Sequence, residues 1–100
     1  MSRYIFPDFP SHKIIYKGKR FIAMLDEAES ESQAEGIRFT IWDGLYDAEL
    51  SNGIRRSDGT CEGELSFTHV NVKIKSAKSI QEFIKYSQAE QEKFFKESGN

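Results

Sequence analysis

The stretch from Glu64 to Ile84 constrains the fold most, because it reads as a long strand, a short break and the start of a capped helix. Glu64-Leu65-Ser66-Phe67 alternates polar and apolar residues, and so does Val70-Asn71-Val72-Lys73-Ile74-Lys75. Such alternation belongs to a half-buried strand, whose successive side chains point to opposite faces. Leu65 and Phe67 occupy odd positions, whereas Val70, Val72 and Ile74 occupy even ones. A straight strand cannot keep both sets on one face, so a bulge or bend is expected near Thr68-His69. Ser79-Ile80-Gln81-Glu82 then has the capping-box pattern, with Ser79 as N-cap and Glu82 reaching back to the cap's own N–H. Ile80, Phe83 and Ile84 follow at helical spacing and form a stripe that must lie on something apolar.

The remaining strands are read the same way. Lys13-Ile14-Ile15-Tyr16 and Arg20-Phe21-Ile22-Ala23-Met24-Leu25 flank Lys17-Gly18-Lys19, which spells a hairpin. The second run is apolar almost throughout and suits a strand covered on both faces. Ile37 to Trp42 alternates cleanly, Asp43-Gly44 is a hairpin dipeptide, and Leu45 to Leu50 can return as the partner strand, closed by Ser51-Asn52-Gly53. Ile54 to Gly63 is polar, carries two glycines and reads as a mobile loop. Asp26 to Glu35 holds five carboxylates, no base and no large apolar residue, so it is a solvated loop or a short exposed helix ending at Gly36.

The expected architecture is therefore α+β. About five antiparallel strands over 13–75 form a curved sheet or partial barrel, with one C-terminal helix over 79–97 packed on it. One hundred residues suit a single domain. Tyr4-Ile5-Phe6-Pro7-Asp8-Phe9-Pro10 makes residues 1–10 an extended aromatic arm, lying across the core or docking on a partner. Along the helix the apolar stripe lapses at Ser87, Gln88 and Gln91, so the middle is expected to overhang polar surface. Phe94 and Phe95 are expected to fold back onto the N-terminal arm, the alternative being a sticky end for a partner.

Composition narrows the setting. With 38% hydrophobic and 30% charged residues the chain is an ordinary globular one. No apolar run approaches the roughly 20 residues that span a bilayer, and Met1 to Pro10 lacks the pattern of a signal peptide. The single cysteine, Cys61, has no partner for an internal disulfide. These features point to a cytoplasmic protein, monomer or homodimer.

Chemistry-bearing constellations are scarce. The glycines never fall in phosphate-loop spacing, and Cys61, His12 and His69 lie too far apart in sequence for a zinc-type cluster. No cofactor or metal is implied. A Cys61–His69 nucleophile pair, oriented by Glu62 or Glu64, is conceivable but lacks an oxyanion hole. Asp43, Asp47 and Glu49 could pair across a hairpin as acid and base, though turn carboxylates are ordinarily only solvated. The chain reads as non-enzymatic.

Binding is the better reading. The net charge of −2 hides an uneven distribution, with eight carboxylates against Arg38 alone between residues 26 and 49. Asp26, Glu27, Glu29, Glu31, Glu35, Asp43 and Asp47 would form an acidic surface that steers toward a protein partner with a basic face. By analogy alone, compact domains of this kind occur among phage-encoded inhibitors of host nucleic-acid-handling machinery, anti-CRISPR proteins among them. The alternative is a nucleic-acid-binding module. Strand aromatics Tyr16, Phe21, Trp42 and Phe67 would supply stacking, and Lys17, Lys19, Arg20, Arg55, Arg56, Lys73 and Lys75 a phosphate-tracking rim.

Overall fold

The computed structural model of the chain describes residues 6–10, 12–26 and 36–98. Six strands form one antiparallel sheet in the order of the chain: β1 (His12–Lys17), β2 (Phe21–Asp26), β3 (Ile37–Asp43), β4 (Ala48–Arg55), β5 (Cys61–Leu65) and β6 (Lys73–Ala77). One helix, α1 (Ile80–Ser98), follows and packs chiefly on β6, β5 and β4. The sheet is open, with β1 and β6 at its edges. No helix among the described residues is long and apolar enough to cross a membrane.

The sixth strand comes from the segment read as one bent strand. Glu64 pairs with Lys73 and Gly63 with Ile74, so Glu64 to Lys75 is a hairpin whose connection holds Thr68 and His69. The parity switch between Phe67 and Val70 marks a reversal of the chain rather than a bulge. Ile54 and Arg55 extend β4, and Cys61 to Gly63 begin β5, which leaves only a tight turn between them. In it Arg56 N–H donates to the Thr60 carbonyl (2.8 Å) and Gly59 N–H to that of Arg56 (2.9 Å), with Gly59 at φ +93°. Ser51-Asn52-Gly53 lies inside β4 and does not end it.

Three register shifts bend the ladder: in β1 between Ile14 and Tyr16, between β3 and β4 at Ile41/Trp42, and between β5 and β6 at Cys61/Gly63. The second lets two successive residues, Leu50 and Ser51, both be buried. The helix-facing core gathers Phe21, Ala23, Leu25, Phe39, Ile41, Leu50, Cys61, Leu65 and Ile74 around Phe83 and Ile84. Phe39 and Phe83 meet edge to face, ring centres 4.8 Å apart. On the reverse face Ile22 and Met24 are buried as well, as the unbroken apolar run of β2 required. There Phe9 packs on Trp42 (5.4 Å) and its carbonyl accepts the His12 N–H (3.1 Å), while residues 1–5 of the expected arm lie outside the described residues.

Ser79 caps α1: its Oγ accepts the Glu82 N–H (3.2 Å) and its carbonyl the Phe83 N–H (3.0 Å). Glu82 reaches one residue further back than the capping box predicts, accepting from Lys78 N–H at 3.0 Å. The middle of the helix does lie over polar groups, but these belong to the sheet and are closed off from water. Ser87 and Gln91 are buried and meet polar groups of the sheet, Ser87 through a 3.0 Å hydroxyl contact with Ser51. Phe94 and Phe95 fold back onto Phe67 and Tyr46; residues 1–5 of the N-terminal arm, the other expected contact, lie outside the described residues.

Candidate functional site

Asp43 closes β3, and the hairpin turn after it was expected to expose the carboxylate. Instead the side chain turns inward and is 2% exposed. Arg20 Nε donates to Oδ1 at 2.8 Å and Arg20 Nη2 to Oδ2 at 2.9 Å, a bidentate fork. Gln91 Nε2 donates to Oδ2 (3.1 Å), Leu45 N–H to Oδ1 (2.9 Å), and Arg20 Nη2 also reaches Gln91 Oε1 (3.1 Å). The guanidinium is stacked as well, 4.7 Å from the Phe21 ring centre and 5.6 Å from that of Tyr46. Burial alone would raise the Asp43 pKa, but the bonds from Arg20, Gln91 and Leu45 outweigh it and hold the carboxyl below its ordinary range. Asp43 is thus a fixed ion that ties β2, β3 and α1 together. It adds nothing to an acidic surface and is poorly suited to shuttle protons with Asp47 or Glu49.

The other acidic candidates are placed as follows. Asp47 is exposed in the turn beside Tyr46, in the left-handed region at φ 53°. Glu49 is half-buried and accepts a bond from Asn52 Nδ2 at 2.8 Å. Asp26 sits at the opposite end of β2 from Phe21, which pairs with Asp43, so Asp26 and Asp47 do not share one patch. Glu27, Glu29, Glu31 and Glu35 lie outside the described residues.

The nucleic-acid platform is not assembled. Phe21 is buried, Tyr16 packs against the core, Trp42 meets Phe9, and Phe67 is engaged edge-on by Phe94 and at a tilt by Phe95. Arg20 is committed to Asp43, and Arg56 is paired with Glu62. Lys17 and Lys19 flank the β1–β2 turn at one edge of the sheet, and Lys73 and Lys75 lie on β6 at the other, with Arg55 at the end of β4. The bases are distributed around the molecule, so no continuous phosphate track forms among them.

Cys61 does not sit in a mobile loop. It is the first residue of β5, fully buried, its thiol directed at the Gly59 carbonyl (3.5 Å). Burial pushes the thiol up to about 11, away from the thiolate a nucleophile needs, and His69 is exposed in the β5–β6 connection. Cys61 should therefore resist a thiol reagent such as iodoacetamide in the native protein at neutral pH, and label readily in denaturant. Rapid native labelling would contradict this burial.

What remains at the surface is an aromatic patch that the sequence did not single out. Tyr46 (54% exposed) and Phe95 (40%) lie 5.4 Å apart, with Phe67 tilted against Phe95 and edge-on to Phe94. A hollow of about 150 Å³ opens there between Tyr46, Glu49, Leu50, Phe67 and Phe95. Its only sequence signal was the recovery of the apolar stripe at Phe94-Phe95, and its other half comes from a turn. No protein family, curated protein or solved structure matches the chain.

Proposed function

We propose that the chain is a small non-enzymatic binding protein that acts by stoichiometric occlusion of a protein partner. The observation that carries this reading is the exposed aromatic pair of Tyr46 and Phe95 beside the hollow that Glu49 borders, with Asp47 exposed in the same turn as Tyr46. Contiguous exposed aromatics cost solubility and are kept where they bind. Tyr46 is well suited as an anchor, because its ring is already oriented by Arg20 and Phe95 and loses little freedom on docking. The carboxylates at the rim favour a partner with basic groups around an apolar pocket, such as a protein that itself handles nucleic acid. The acidic stretch from Asp26 to Glu35 would add long-range attraction.

Affinity capture from the native host, with wild type and Tyr46→Ala/Phe95→Ala side by side, tests the reading. A protein retained in a stoichiometric, salt-sensitive complex is expected, with the double variant weakened by at least about 2 kcal/mol. Charge reversal at Glu27, Glu29 and Glu31 probes the acidic stretch separately and should slow association more than it speeds release. Equal retention by wild type and the aromatic variant would defeat the proposal.

A further inference from the structure

β6 ends the sheet: it pairs with β5 and has no strand beyond it among the described residues. The Leu65 amide donates to the Val72 carbonyl at 3.0 Å. Along an antiparallel ladder, successive residues turn their backbone groups alternately toward and away from the partner strand. That bond therefore directs the N–H and C=O of Lys73 outward. A row of outward backbone groups is a template for one more strand.

Two hollows flank this edge, one on each face. On the reverse face a groove of about 430 Å³ is lined by Arg38, Asn52, Glu62, Glu64, Lys73 and Lys75, among others. Between β6 and α1 a second, of about 290 Å³, is lined by Ile74, Tyr86, Ala89 and Glu90 together with the same two lysines. A strand laid along β6 would turn its side chains alternately to the two faces, beside Lys73 and Lys75 on the reverse face and toward Tyr86 and Ala89 on the helix face, since strand side chains alternate with period two.

Charge selects what can lie there. On β6 the reverse groove is lined by Lys73 and Lys75, with Glu64 across from Lys73, while Glu62 is held by Arg56. Lys73 stands 3.8 Å from Glu64 with its side chain 77% exposed, so its ammonium remains accessible to a further carboxylate. A second copy of the chain is a poor occupant. Antiparallel self-pairing about the centre of β6 would set Lys75 against Lys75, and like charges directly opposite are destabilising.

The geometry points to the β6 edge as a strand-addition site for an extended segment of a protein partner in which carboxylate side chains alternate with small apolar ones. The carboxylates face the reverse groove, and the apolar residues lie against Ile74, Tyr86 and Ala89. The site shares no residue with the aromatic patch, so either reading can fail without the other.

The test titrates the isotope-labelled full chain with a capped seven-residue peptide alternating glutamate and valine. The same peptide with lysine in place of glutamate is the control. Saturable shifts and slowed amide exchange confined to residues 73–77 and their groove neighbours are expected for the glutamate peptide only. Lys73→Gln with Lys75→Gln should weaken binding at least tenfold. Lys73→Pro, which removes an outward N–H that the native sheet does not use, should abolish it; both variants should keep the wild-type thermal midpoint. Equal binding of the two peptides, shifts centred on Tyr46 and Phe95 instead, or no shift at millimolar peptide would overturn the proposal. So would concentration-dependent self-association that broadens the β6 amides, because it would assign the edge to a second copy.

Discussion

Asp43→Ala is expected to destabilise the protein by about 3 kcal/mol, as loss of one partner of a buried pair typically does, lowering the thermal midpoint by roughly 15 °C for a domain this size. The cost is not that of one salt bridge. Removing the carboxylate deprives Arg20 Nε, Arg20 Nη2, Gln91 Nε2 and the Leu45 N–H of an acceptor at once. Gln91 is 3% exposed and cannot turn to water without moving α1. Arg20 keeps 23% of its side chain exposed, which moderates the penalty on its charge and keeps the estimate near the lower end for a buried pair.

Acid should act in the same direction on the wild type. The folded carboxyl lies below its unfolded value, so the stability it confers is complete above the unfolded value of about 3.9 and is lost as pH falls through the folded one. Arg20→Ala removes both the fork and its positive charge, which moves the Asp43 pKa up relative to wild type. The stability gap between the two proteins should then be widest near neutral pH and narrow as pH falls below the unfolded carboxyl value. A gap independent of pH would mean that Arg20 acts through its stacking on Phe21 and Tyr46 alone.

The reading of this network from sequence failed for a definite reason. Asp43-Gly44 was correctly placed at a hairpin, and turn carboxylates usually face water. Here the partner comes from Arg20, whose place beside Asp43 follows only from the β2–β3 register, in which Phe21 faces Asp43. Likewise Ser87 and Gln91 interrupt the apolar stripe of α1, and an interrupted stripe ordinarily means solvent. Burial became possible because Ser51 and Asp43 stand opposite them. Local signals fared better: the alternation of β3, the apolar run of β2 and the Ser79 cap were all legible, since each depends on residues within one or two turns of chain. The aromatic patch was the least legible feature. Tyr46, Phe67 and Phe95 come from three separate elements and share no sequence pattern.

Gly53 and Gly63 show the same limit from the side of backbone geometry. Both were read as punctuation, yet they face each other across β4 and β5, in a row running Phe39–Gly53–Gly63–Ile74 over four strands. A Cβ at Gly53 would fall on the Glu62 carbonyl oxygen and lie 2.9 Å from the Gly63 Cα; one at Gly63 would fall on the Asn52 carbonyl oxygen, 2.7 Å from the Gly53 Cα. These are backbone atoms, so no rotamer change relieves the overlap and the strands must part. Gly53→Ala and Gly63→Ala are each expected to cost about 3 kcal/mol, the upper range for overpacking a tight interior. Gly59→Ala is the contrast: its Cβ would find its nearest neighbour at 3.8 Å, the Lys78 carbonyl oxygen, so only the positive φ is penalised, at about 1–2 kcal/mol. Urea midpoints for the three variants should therefore fall in two groups, with both strand glycines well below Gly59→Ala. If the strand variants unfold at the midpoint of Gly59→Ala, the close approach of β4 and β5 is not what demands glycine there, and the hairpin that carries the β6 edge is held by side-chain packing instead.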